Sequence, residues 1–237
     1  MTGFIGGFGI LAGYYVVCAS TALFLRRLIR IPTEIFRKIL HTILLCSLFI
    51  WLYAFPDWWM ASLAALLFIA GVYPILSLTE KWSGYSDLLT ERRSGEAKNS
   101  LFLVFMMFAI LNALCWGLLG QRWLVLACIC AWGFGDSAAA LIGKKFGKHY
   151  LQGKYIEGRK SVEGTFAMFM VSFLSVLIVL LYFGKLPWYG SLLIAFLTAA
   201  VSAFVELFTR KGMDTVTCPF AAAAVLLPLF MLWSTWL

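Results

Sequence analysis

The stretch Leu101–Ile142, LFLVFMMFAILNALCWGLLGQRWLVLACICAWGFGDSAAALI, decides the fold. Its only charged residues are Arg122 and Asp136. It divides into two apolar runs, Leu101–Leu119 and Trp123–Ile142, joined by the tight turn Gly120-Gln121-Arg122. Each run has about the 20 residues that a helix needs to cross a hydrocarbon core about 30 Å thick. The stretch therefore reads as two membrane-crossing helices back to back.

The same pattern extends in both directions. Further apolar runs lie at Phe4–Leu25, Ile39–Phe55, Trp58–Leu78, Thr165–Phe183, Leu186–Phe208 and Val216–Trp236, which makes eight spans in 237 residues. The second run is short at 17 residues, so little tilt or snorkelling ends are expected there. Composition excludes a soluble globule: 62% of residues are hydrophobic, 13% are charged, and mean hydropathy is +0.91. Soluble domains run at about 45–50% apolar and about 25% charged. The expected fold is all-α, a polytopic integral membrane helix bundle forming a single domain over residues 1–237. No basic residue precedes the first apolar run, so a cleaved leader is not expected. The six cysteines are scattered through apolar stretches without a CxxC pair, and with only two histidines a tetrahedral zinc site is not expected.

Charge orients the spans. Of the 19 basic residues, 17 fall in the connections after spans one, three, five and seven, leaving only Arg122 and Lys185 for the other side. By the positive-inside rule those four connections are cytosolic and both termini lie outside. Topology accounts for the net charge of +8, and no nucleic-acid partner is needed. The outer connections are tight, whereas two inner ones run to about 20 residues and carry most of the polar side chains. Chemistry is therefore expected at the cytosolic membrane surface.

Asp136 stands within the fifth span, seven residues before Gly143 and so about 10 Å inside its cytosolic end. An ionisable group at that depth costs about 2.5–3.5 kcal/mol, which marks it as a functional residue. Gly133 and Gly135 permit close approach of a helix or ligand. Next come Gly143-Lys144-Lys145-Phe146-Gly147-Lys148 and Gly158-Arg159-Lys160-Ser161-Val162-Glu163-Gly164-Thr165. An acid to hold Mg²⁺ and lysines to neutralise phosphate oxygens are what phosphoryl transfer requires. Ser161 and Glu163 open the sixth span, where backbone N–H groups are expected to bind an anion. Gly153 to Ser161 superficially resembles a P-loop, but Arg159 interrupts the spacing and no strand–loop–helix frame is present in the sequence.

Three other clusters share the cytosolic side. Glu34, Arg37, Lys38 and His41 have helical spacing ahead of the second span. Glu91 to Glu96 reads as an ordinary turn. Glu206, inside the seventh run, is an acid out of place, and Asp214 and Pro219 follow it.

The ordered set of Asp136 in Gly-Asp-Ser-Ala-Ala-Ala-Leu-Ile-Gly-Lys-Lys-Phe-Gly-Lys, Arg-Lys-Ser-Val-Glu-Gly-Thr at 159–165, and Arg37-Lys38-Ile39-Leu40-His41 resembles a membrane lipid kinase family. That family comprises dolichol, polyprenol, phytol and CTP-dependent diacylglycerol kinases, and is related to the phosphatidate cytidylyltransferases. Glu206 and Gly212-Met213-Asp214 to Pro219 resemble its C-terminal Gly-x-Asp-Asn…Pro element, with Thr215 where the family carries Asn. The resemblance implies transfer of a terminal phosphate, usually from CTP, to the hydroxyl of a lipid alcohol drawn from the bilayer. On that reading Asp136 is a Mg²⁺ ligand or the acid/base, and Lys160 and Glu163 are catalytic. Lys144, Lys145, Ser161, Gly143, Arg37, Lys38 and His41 hold nucleotide or phosphate, and Glu163 and Asp214 join Asp136 at the metal. A CDP-lipid-forming cytidylyltransferase is the alternative, although the His-Gly-Gly of its signature is nowhere in the chain. A small-solute transporter is a third reading, with buried acids at glycine-broken helices.

Overall fold

A computed structural model describes residues 3–81, 95–153, 156, 160–209 and 212–234. Eight of its helices are long and apolar enough to cross a membrane, as the apolar runs require. They group into two compact units, Met1–Leu118 and Leu119–Leu237.

The first unit holds α1 (Phe4–Leu28), α2 (Thr33–Ala54), α3 (Trp58–Thr79) and α4 (Glu96–Leu111), the last running on as a π-helix over Asn112–Leu118. The second span is not short. Helix α2 has 22 residues, because its first turns are built from the polar residues Thr33, Glu34, Arg37 and Lys38 ahead of the apolar run. Apolar run length marks only the part of a helix that hydrocarbon covers, so the expectation of a 17-residue span is corrected. Aromatic rings form the core: Phe68 lies 4.8 Å from both Tyr15 and Phe105, and Trp51 lies 6.0 Å from Phe105. These spacings suit edge-to-face and offset contacts, which add about 0.5–1.5 kcal/mol per pair beyond burial. Hydrogen bonds between helices run through this core. Tyr15 Oη and Ser47 Oγ share a hydrogen bond of 2.7 Å, and Ser62 Oγ donates to Ala109 O at 3.1 Å, joining α3 to α4. The π-helix lays Gly117 against the Trp58 ring, where a Cβ would come within 2.9 Å of it.

The second unit is a ring of four helices: α5 (Arg122–Phe146), α6 (Val162–Phe183), α7 (Trp188–Phe208) and α8 (Asp214–Ser234). Neighbours in the ring pack together, α5 on α6, α6 on α7, α7 on α8, and α8 back on α5. Helix α5 is the most enclosed of the eight. Small residues permit that closeness, as membrane helices lack a hydrophobic drive toward one another and associate through tight packing. Gly135 of α5 lies against Ser172 and Met168 of α6, and Ser172 Oγ donates to Ala131 O at 2.6 Å. Toward the end of α5, Gly143 faces Gly164 and Ser161. Helix α7 buries Gly190, Ser191, Ala195, Thr198, Ala199, Ser202 and Ala203 along one face, with Gly190 seated on the Trp233 ring.

One element departs from the all-helical expectation. Tyr150–Leu151 (β1) and Lys160–Ser161 (β2) pair antiparallel, Tyr150 opposite Ser161 and Leu151 opposite Lys160. Two-residue strands leave no alternation for sequence to reveal. Their effect is to fold the basic connection back on itself, so that Lys160 and Ser161 enter α6 from a fixed direction.

Candidate active site

Helix α5 carries Asp136 because Gly133, Gly135 and the alanines after it keep the helix slim where α6 and α8 close around it. One turn earlier, Trp132 points its indole to α8, and Nε1 donates to Asp214 Oδ2 at 3.4 Å. Asp214 opens α8 two residues after Gly212, whose φ of +76° belongs to the left-handed region that glycine enters without strain. Asp136, four residues after Trp132, shares its face of the helix. Acids from α5 and α8, Asp136 and Asp214, are thus brought to one region of the second unit, and Glu206 lies near the end of α7, which packs on α8.

Lys160 balances them. Its Nζ pairs with Glu206 Oε1 at 2.8 Å, with both side chains largely buried at 18% and 13% exposed. The same ammonium also donates to the Glu206 carbonyl and reaches Thr209 O at 3.5 Å. Lys160 therefore anchors β2 to the end of α7, a role that its position in a basic loop did not reveal. The flexible, exposed cations are Lys144 and Lys145 in the last turn of α5, with Lys145 Nζ 5.2 Å from the Phe146 ring centroid. Among the described residues neither makes an ion pair, which leaves both available to an anion.

Ser161 and Glu163 act differently from the expectation. Ser161 is 2% exposed, and its Oγ accepts the Gly164 N–H at 3.1 Å, capping α6. The Val162 N–H is taken by His149 O at 2.9 Å. Two of the N–H groups in the first turn of α6, those of Val162 and Gly164, are thereby taken within the protein. Glu163 accepts from His149 Nδ1 at 2.7 Å and from the His149 amide at 3.3 Å. It clasps the connection after α5 to the start of α6. Gly143 serves this corner by packing: a Cβ there would stand 3.2 Å from Ser161 Oγ.

The proposed metal trio of Asp136, Glu163 and Asp214 is not gathered. Asp136 and Asp214 share the Trp132 region, whereas Glu163 lies at the Gly143 end of α5 with His149. Among the described residues no three of His, Cys, Asp and Glu come together as a metal group. Mg²⁺ does not need such a cage, since it is commonly held by one or two carboxylates, several waters and substrate phosphates. Asp136 and Asp214 are carboxylates of the kind such an ion uses.

Arg37, Lys38 and His41 occupy successive turns of α2 in the first unit. Arg37 is held by Glu34 and Glu96, each at 3.2 Å, and Lys98 pairs with Glu80 nearby in sequence. Arg37 thus ties α2 to α4. Lys38 and His41 are half-buried on the same helix. Arg159 and the turn Glu91–Ser94 lie outside the described residues.

Over 230 residues, 92% of this chain and 88% of the relative, the sequence is 31% identical to a protein of Synechocystis sp. named phytol kinase. The chain belongs to the phytol kinase family. No family model matches it, and no solved structure does. In this phytol kinase family member the acids on α5, α7 and α8 and the lysines that end α5 are the groups with chemical potential. The sequence reading missed the His149–Glu163 clasp and the Lys160–Glu206 pair. The signals available were a histidine beside a lysine-rich turn and an acid inside an apolar run, neither of which names its partner.

Proposed function

We propose that the protein transfers the γ-phosphate of a nucleoside triphosphate, CTP by family resemblance, to the hydroxyl of a membrane lipid alcohol of the phytol type. Both units are taken as one lipid kinase domain, with the basic connections and the reacting groups on the cytosolic side and both termini outside. The observation that carries the reading is the contact of Trp132 with Asp214, which brings the acids of α5 and α8 together beside the Lys160–Glu206 connection of the same unit, in a chain of this family.

The chemistry follows from those groups. The alcohol oxygen attacks the γ-phosphorus in line, the bond to the β–γ bridging oxygen breaks, and the nucleoside diphosphate leaves. The alcohol proton passes to a carboxylate, a role assigned to Asp136, an acid within an apolar span where a lipid hydroxyl can be met. Asp136 and Asp214 would hold Mg²⁺, which would neutralise phosphate charge when bound. Lys144 and Lys145 attract and hold the phosphates on flexible stems at the membrane surface. Lys160, tied to Glu206, and Glu163, tied to His149, are positioning residues that set the entry to α6 and the α7–α8 turn.

The test is turnover by the purified chain with Mg²⁺, phytol and CTP labelled at the γ-phosphate. Label in phytyl monophosphate with CDP released supports the proposal. Pyrophosphate and a CDP-lipid formed from phosphatidic acid would replace it with nucleotidyl transfer.

A further inference from the structure

The end of α7 and the start of α8 border an open furrow of about 610 Å³. Phe204, Val205, Phe208 and Met213 give it apolar walls, and Thr209 and Thr217 supply its polar lining. We infer that this furrow is the acceptor site, holding the chain of a single-chain lipid alcohol with its hydroxyl at the Thr209–Thr217 pair. The inference rests on the lipid kinase reading and adds the location and the shape of the substrate to it.

Hydrogen-bond bookkeeping selects the ligand. Thr209 Oγ1 lies 2.7 Å from Val205 O, Thr217 Oγ1 lies 3.0 Å from Met213 O, and the two hydroxyls are 2.8 Å apart. Two hydroxyl hydrogens thus serve three acceptors, and none is left over for a ligand. What remains is lone pairs, since each hydroxyl oxygen carries two. The pair can accept a hydrogen bond and has none to give. A phosphate or a fatty carboxylate, which offers only acceptor oxygens, gains nothing there. An alcohol, with its O–H, is matched.

Location agrees with chemistry. Lys160 Nζ reaches Thr209 O at 3.5 Å and Glu206 Oε1 at 2.8 Å, so the polar end of the furrow adjoins that ion pair. The apolar walls are open, with Phe204 64% exposed, Phe208 41% and Met213 42%. A lipid can therefore enter sideways without leaving hydrocarbon. The furrow falls within the about 300–1,000 Å³ typical of small-molecule sites. One furrow with one polar end suits one chain and one hydroxyl, and favours a prenol-type alcohol over a two-chain glyceride.

The experiment has two arms. In the first, the wild-type protein in nanodiscs is irradiated with a diazirine-bearing C20 prenol, and labelled peptides are mapped by mass spectrometry. Label within 204–217 that unlabelled phytol displaces is the expected result, and label confined to other helices overturns the site whether or not the protein turns over. In the second, Val205→Trp fills the furrow. The expected KM for phytol rises at least tenfold with the KM for CTP unchanged. An unchanged phytol KM in a folded V205W protein also overturns the site, and leaves the kinase reading standing. Absence of all kinase activity in the wild type would remove that reading, with the labelling arm still deciding the furrow.

Discussion

Replacing Glu206 with glutamine keeps the shape of the side chain and removes the charge that Lys160 faces at 2.8 Å. At an effective dielectric of about 20 that contact is worth roughly 6 kcal/mol of gross attraction. Most of it offsets the cost of taking the two ions out of water, so the intact pair adds little net stability. Breaking it is another matter, because the surviving ammonium stays largely buried. Removal of one partner from a buried pair costs about 3–5 kcal/mol. The backbone carbonyls of Glu206 and Thr209 still solvate the ammonium here, which puts the expected loss at the lower end, about 3 kcal/mol. In a chain of this size that corresponds to a fall in Tm of roughly 6–12 °C. Lys160→Met should cost about as much, by leaving the carboxylate bare. The double variant K160M/E206Q should be more stable than the sum of the two losses allows, with a coupling of at least about 1.5 kcal/mol. Thermal unfolding of the three variants in one detergent provides the cycle. Additive losses, within about 0.5 kcal/mol, would refute the argument that the two side chains form one electrostatic unit.

Asp136→Asn should lower turnover about 10²- to 10⁴-fold with an unchanged melting temperature, read by labelled phosphate transfer, because it removes an acid/base and a metal ligand without altering volume. Lys144→Ala with Lys145→Ala should raise the KM for CTP and weaken its salt dependence while leaving the KM for phytol in place, since both cations are exposed at the membrane surface. Gly135→Ala should destabilise the protein by about 1–3 kcal/mol through collision with Ser172 Oγ, and adding Ser172→Ala should restore much of the loss in a melting assay. His149→Ala and Glu163→Gln should each lower the melting temperature slightly, and the pair together should cost little more than either alone.

The helices were legible because each is a run of hydrocarbon-compatible residues, and burial in lipid tolerates little else. Their ends were less so. Thr33 to Lys38 extend α2 out of the apolar run, and Val162 and Asp214 begin α6 and α8 ahead of the apolar runs that follow. Asp136 stood out since an acid in an apolar span is costly, and Glu206 stood out for the same reason. What sequence could not supply was partnership. Lys160 and Glu206 are 46 residues apart, and only the ring of α5 to α8 with its small ladder brings them together. Ser161 and Glu163 had the composition of an anion site, yet they serve to cap and clasp a helix start. A polar side chain at a helix N-terminus satisfies the backbone as readily as it binds a ligand, and spacing alone does not separate the two.

The most direct test of the central claim is a single-turnover measurement with phytol incorporated in nanodiscs and γ-labelled CTP, comparing the wild type with Asp136→Asn. The account predicts label in phytyl monophosphate with equimolar CDP from the wild type, and none from the variant on the same time scale. Equal label from both proteins, or label from neither with any nucleoside triphosphate, would contradict it.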